Sequence, residues 1–188
     1  MDEKQKEYIL VNVIYKVVNA DRNRQILESV PHKTFLDLAA VYVVLIESDN
    51  DDIGYILDNG IMENVGITFD DLDNAAYSNS ETIGFIKYRL FGDMPLILGK
   101  GNNYGAGAFL YPEYIRQISE EDGGCDLYIL PSSVHELIAI SDDITYTVEE
   151  LREIVMDMNS DSKYVGESDF LSNNIYKYIA AENKIIML

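Results

Sequence analysis

The chain has 188 residues, 47% of them apolar, and carries 33 acids against 14 bases for a formal charge of −19. That length suits one domain over residues 1–188, and the apolar share is enough to close a core, which excludes a wholly disordered tail. The charge repels nucleic acid and anionic membrane surfaces and favours basic partners.

Tyr8 to Val18 is rich in β-branched residues and alternates well enough to predict a strand. Asp21 is placed to cap a short helix through Leu27, and Pro31 then resets the chain. Phe35 to Ile46 is a long apolar run whose second half, with Val41, Val43 and Val44, reads as a buried strand; a helix is the competing reading. Ser48-Asp49-Asn50-Asp51-Asp52 followed by Gly54 reads as a turn into a strand at Tyr55 to Leu57. Thr68 opens a capping box with Asp71 in place of Glu, and Phe69, Leu72, Ala75 and Ala76 share one face of the helix it starts.

Phe85 to Phe91 and Pro95 to Leu98 read as short strands, and the glycine-rich Gly99 to Gly107 as loop or tight hairpin. Ala108 to Tyr111, Leu127 to Leu130 and Val134 to Ile140 read as further strands. The clearest helix is Val148 to Met158. Thr147 is its N-cap, Glu150 closes the capping box, and Val148, Leu151, Val155 and Met158 form its apolar stripe. A last strand or hairpin covers Ile175 to Leu188 and turns near Glu182-Asn183. Strands and helices do not alternate regularly, so the expected class is α+β, a mixed, mostly antiparallel sheet packed with a few short helices.

The acids are not evenly spread. Thr34 to Ile86 contains no Lys or Arg and eleven acids, among them Asp49, Asp51, Asp52, Asp70, Asp71 and Asp73. Gln117 to Leu151 again lacks bases and holds nine acids, including Glu120, Glu121, Asp122, Asp142 and Asp143. These residues are the candidate partner-binding set. A solvated, solubilising surface is the plainer reading of the same pattern, and both readings require the acids to be exposed.

Gly99, Gly101, Gly105 and Gly107 miss the dinucleotide spacing by one residue, no P-loop lysine follows, and the strand expected after them offers no helix N-terminus to a phosphate. Ser133 and His135, read as strand, would share a face beside Ser132 and Glu136. That makes them the best nucleophile-and-base pair in the chain, although the Gly-x-Ser-x-Gly context is missing. The plainer role for these serines is to satisfy turn backbone groups. Ala139 stands where a zinc helix needs its second His, and the calcium-like Asp49-x-Asp51 pattern fails at Ile53 and Gly60, so no metal and no cofactor is expected. Cys125 is the only cysteine, which excludes an internal disulfide and suits a reducing compartment. No secretory pattern follows Met1, and Tyr8–Val18 is shorter than the ~20 residues of a membrane span. The expected location is the cytoplasm.

The chain resembles a domain-of-unknown-function family found widely in anaerobic gut Firmicutes and their mobile elements. The pieces that carry the resemblance are Val30-Pro31-His32 with Phe35-Leu36-Asp37-Leu38-Ala39, Leu72 with Asn74-Ala75-Ala76, Asn103-Tyr104-Gly105-Ala106, and Leu127 to Glu136 with its Pro131-Ser132-Ser133-Val134-His135-Glu136 core. Val155 to Asn159, Phe170-Leu171-Ser172 and Ile175 to Tyr178 complete it. The resemblance implies a bacterial or phage-infected cytoplasm and a mobile-element setting, and supplies no activity.

The expected function is therefore a non-enzymatic acidic protein-binding domain. Its partner would be a basic protein or the basic groove of a nucleoprotein enzyme, with no direct nucleic-acid or membrane contact. The most concrete form is an inhibitor of a CRISPR nuclease acting by nucleic-acid mimicry. The alternatives are a small hydrolase using Ser133 and His135, and an acidic scaffold or immunity-type partner.

Overall fold

In the computed structural model the described residues are 3–46, 53–90, 94–99, 104–161, 163 and 165–188. The chain divides into two compact units, residues 1–84 and 85–188. Each holds an antiparallel sheet with helices, so the α+β class is observed, with two sheets where the sequence suggested one.

The first unit is built around its longest strand. Helix α1 (Glu3–Asn12) runs directly into β1 (Val13–Asn19), a short helix α2 (Arg24–Leu27) follows, and β2 (His32–Phe35) turns into β3 (Leu38–Ile46). After it come β4 (Ile53–Ile56), α3 (Asn59–Val65) and α4 (Phe69–Ile83). β3 pairs with β1 along one side and with β2 and then β4, end to end, along the other; all three pairings are antiparallel. Covered on both faces, β3 can be apolar throughout, which is why its sequence reads as a continuous run and not as an alternation. One face packs Val18, Ala39 and Val41 against Leu27 and Val30. The other carries the cross-strand pair Tyr15–Tyr42.

Two sequence expectations change here. Tyr8 to Asn12 are helical, and only from Val13 is the chain a strand. The junction is fixed from a distance: Asn79 Nδ2 on α4 donates to the carbonyls of both Leu10 and Val13, at 2.9 and 2.8 Å, absorbing helix-end acceptors that β-branched propensity alone would have turned into strand. Ser80 Oγ accepts from the Tyr15 main-chain N–H at 3.0 Å, so α4 also covers part of the open edge of β1. Asp21 does not cap α2. It pairs with Arg24 at 2.7 Å, and Asn23 occupies the N-cap position without a side-chain bond. Asp58 and Gly66 bracket α3, a helix the sequence reading passed over: Asp58 Oδ1 accepts from Ile61 N–H at 2.8 Å and Gly66 closes it at φ 69°. The expected capping of α4 by Thr68 is present, with Oγ1 accepting from Asp71 N–H at 3.1 Å.

The second unit is a six-stranded antiparallel sheet. In chain order it comprises β5 (Phe85–Leu90), β6 (Met94–Gly99), a 3₁₀ turn at Gly105–Leu110, α5 (Pro112–Glu121), β7 (Leu127–Ser133), β8 (Glu136–Ser141), α6 (Val148–Ser160), β9 (Tyr176–Ile179) and β10 (Lys184–Met187). The strand order is β10-β9-β7-β8-β6-β5. α6 lies on one face, where Leu151 and Val155 meet Leu130, Ile140 and Ile175. Its capping box forms as expected, with Thr147 and Glu150 each accepting from the other's main-chain N–H. On the opposite face Phe109 meets Tyr176 edge-on, ring centroids 5.0 Å apart. The C-terminal hairpin is also where the sequence put it, with Asn183 at φ 48° in the turn.

The stretch from Ala108 to Tyr111 is not a strand. It closes the 3₁₀ turn and leads into α5, whose Pro112 sits at the first helical position, where its fixed φ helps and its missing N–H costs nothing. Ile115, Ile118 and Ser119 are the buried side of that helix. The sequence expectations include no helix here, the apolar Ala108–Tyr111 run before the proline reading as strand.

Candidate functional site

The segment that sequence reasoning singled out, Pro131 to Glu136, forms the tip of the β7–β8 hairpin. The ladder is interrupted between Pro131 and Ser133, then closes on Ser133–Glu136, leaving Val134 and His135 as the turn. His135 is thus a turn residue and not, as expected, a strand residue sharing a face with Ser133. The reason is local: Ser133 Oγ accepts from the His135 main-chain N–H at 3.1 Å, the hydroxyl serving as the turn's acceptor.

The tip is buried more than a hairpin tip needs to be. Pro131, Ser132, Ser133 and Val134 are all buried, while His135 and Glu136 are half-buried. Ser132 Oγ donates to Glu136 Oε1 at 2.7 Å, satisfying the hydroxyl across the bulge. Two other segments clamp the turn. Gly105 and Ala106 donate their main-chain N–H groups to the carbonyls of His135 and Val134, at 2.9 and 3.3 Å, and Val134 N–H donates to the Asp169 carbonyl at 2.9 Å.

The His135 ring is held on both sides. Its Nδ1 accepts from the Tyr104 main-chain N–H at 3.4 Å, and its Nε2 lies 3.5 Å from Asp169 Oδ1. With Nδ1 accepting, the proton belongs on Nε2, facing the carboxylate. Tyr104 stacks on the ring at 5.9 Å and 29° between planes, and occupies a left-handed backbone conformation at φ 57°, unusual for a residue with a bulky side chain. Burial raises the Tyr104 phenol above its ordinary pKa, and the Asp169 carboxylate adds to the shift. Tyr104 and Asp169 are the residues that sequence reasoning missed here. Their partnership with His135 spans 31 and 34 positions and leaves no local pattern.

What this arrangement can do chemically follows from the atoms. His135 has an orienting carboxylate, the third element of a nucleophile–base–acid set. The first contact of such a set is not made: the Ser133 hydroxyl lies on the His135 main chain, and the Ser132 hydroxyl is committed to Glu136. The glycine-rich segment does not cradle a phosphate with the amides that are described, since those of Gly105 and Ala106 are spent on the hairpin and that of Gly107 on the Tyr104 carbonyl. No cluster of metal-ligating side chains occurs among the described residues.

The acidic candidates separate into three groups. Asp49, Asp51 and Asp52 lie outside the described residues. A second group is engaged within the fold. Asp73 is the hub of a network between α4 and the first sheet: its Oδ1 accepts from Tyr15 Oη at 2.6 Å, Tyr42 Oη at 2.8 Å and Lys33 Nζ at 2.7 Å. Partial burial pushes its carboxyl upward, but the bonds from Lys33, Tyr15 and Tyr42 outweigh that and hold it below the ordinary value. Tyr42 is correspondingly driven well above the ordinary phenol value, by burial first and by the Asp73 bond and charge second. In the second unit Glu120 pairs with Arg116 at 2.9 Å, Glu121 with Lys87, and Asp142 with Lys177 at 2.9 Å, while Asp122 ends α5.

The third group is exposed without an ion pair among the described residues. Asp70 and Asp71 stand in the first turn of α4, and Asp143 follows β8. Glu63 on α3 and Glu81 on α4 share that condition within the same base-free stretch.

Comparison with protein-family models matches the chain to a family of unknown function, DUF5688, over residues 2–94 and 92–180. The chain belongs to that family. Both the Asp73 network and the hairpin tip fall within the matched residues of this DUF5688 chain. No curated protein matches it, and no solved structure matches it. No helix among its described residues is long and apolar enough to cross a membrane.

Proposed function

We propose that this DUF5688 chain is a non-enzymatic, acidic protein-binding domain whose partner presents a basic surface. The observation that carries the reading is the set of exposed carboxylates in the first unit, Glu63, Asp70, Asp71 and Glu81, which have no ion-pair partner among the described residues and sit in a stretch with no Lys or Arg from Thr34 to Ile86. The helix dipole favours Asp70 and Asp71 where they are, by about 0.3–1 kcal/mol each. It gives no reason for the lack of bases across the whole stretch. Unpaired surface acids steer and select a cationic partner more than they stabilise the fold.

In its most specific form the partner is the nucleic-acid groove of a nucleoprotein enzyme, a CRISPR nuclease among them, in the setting of a bacterial mobile element. A duplex presents one charge per ~1.7 Å, so occupying such a groove requires concentrated carboxylates. Binding to a purified guide–nuclease complex, followed across a salt series, tests this form. Affinity should fall steeply with salt, and replacing Glu63, Asp70, Asp71 and Glu81 by their amides should weaken it with the fold intact. Absence of binding and of any block to DNA cleavage across several such nucleases would sink it.

A second reading, hydrolysis through Ser133 and His135, is favoured by one observation, the orienting carboxylate of Asp169 at 3.5 Å from His135 Nε2. It requires the ring or the hydroxyl to turn so that Nδ1 meets a serine. A serine-directed fluorophosphonate probe distinguishes the two readings. Labelling of Ser132 or Ser133 that is abolished in His135→Ala supports hydrolysis, and no labelling removes it.

A further inference from the structure

We draw no further inference here: the strongest candidate, the Lys33–Tyr15–Tyr42–Asp73 cluster between α4 and the sheet of the first unit, carries nothing because its two hydroxyls and its ammonium group are already spent on the one carboxylate and nothing beside them points to a ligand.

Discussion

The two units solve the same electrostatic problem with opposite signs at the centre. The first holds 16 acids and 6 bases, the second 17 and 8, so their compositions are nearly matched. In the first, a carboxylate is the hub: Asp73 gathers Lys33 and the hydroxyls of two tyrosines that are themselves buried. In the second, a base is the hub. Lys177 bridges Asp142 at 2.9 Å and Asp126 at 3.2 Å, with its ammonium 5.6 Å from the centre of the Tyr128 ring. One arrangement uses a single base to seat one acid beside two buried tyrosines; the other uses a single base to neutralise two half-buried acids. Together with the α5 pairs, the second unit thus spends several of its carboxylates internally. Exposed acids without an ion pair among the described residues remain in both units: Glu63, Asp70, Asp71 and Glu81 in the first, and Asp143, Asp157 and Glu167 among those in the second. What sets the first unit's acids apart, and motivates the interaction surface proposed there, is that they lie in the longer of the two stretches without Lys or Arg, Thr34 to Ile86.

Unequal burial of the groups each hub holds gives the largest expected contrast: Tyr15 and Tyr42 are buried, whereas Asp126 and Asp142 are half-buried. Asp73→Ala strands the Tyr42 hydroxyl, which is fully buried, and should cost about 2–4 kcal/mol in urea unfolding. Adding Tyr42→Phe should return part of that loss, because the stranded donor is then gone; a double variant no better than the single would show that the network is not the source. Gly54→Ala should come next, at about 1–3 kcal/mol, since a methyl group there would lie 2.5 Å from Val43 Cγ1 on the neighbouring strand. Lys177→Met should cost less, about 1 kcal/mol, as all three charges are partly solvated, and the loss should shrink in high salt. A loss at Lys177 matching that at Asp73 would break the comparison.

The pH dependence carries both signs. Asp73 and Asp126 have folded pKa values below their ordinary ones, Asp126 chiefly through the Ala180 N–H and then Lys177. Their contribution is whole above the ordinary carboxyl pKa of about 4 and is lost as pH falls through the lower folded values. Lys177, raised first by the Asp142 bond, and Tyr42, raised by burial, act at the other end. Their contribution is whole below about pH 10 and is lost as pH rises through the folded values. Stability measured against pH should therefore be flat between about pH 5 and 9 and fall on both sides. Tyr42→Phe should flatten the alkaline side specifically.

Much of this fold was legible in the sequence where the signal was local. The N-cap at Thr68, the capping box at Thr147, the continuous apolar run of β3 and the C-terminal hairpin are set by residues within a few positions of one another, and all are present. The misreadings have two causes. Helical Tyr8–Asn12 depends on Asn79, and the 3₁₀ turn before Pro112 on its seat over the second sheet, both partners far along the chain. The turn position of His135 is set locally by the Ser133 hydroxyl and then clamped by residues 104–106 and 169. The candidate site divides the same way: Ser132, Ser133, His135 and Glu136 were found from their proximity in sequence, while Tyr104 and Asp169, which hold the histidine, were not. Asp73 was counted as a surface acid because nothing near it in sequence reveals that Tyr15, Lys33 and Tyr42 converge on it.

The most direct measurement is a salt titration of binding between the purified chain and a purified guide–nuclease complex, run beside a variant carrying Glu63→Gln, Asp70→Asn, Asp71→Asn and Glu81→Gln. The expected result is affinity that falls steeply with rising salt in the natural chain, with at least a tenfold loss and a shallower salt slope in the variant. Equal affinity and equal salt dependence in the two proteins, with the variant's unfolding curve unchanged, would contradict an interaction surface on the first unit.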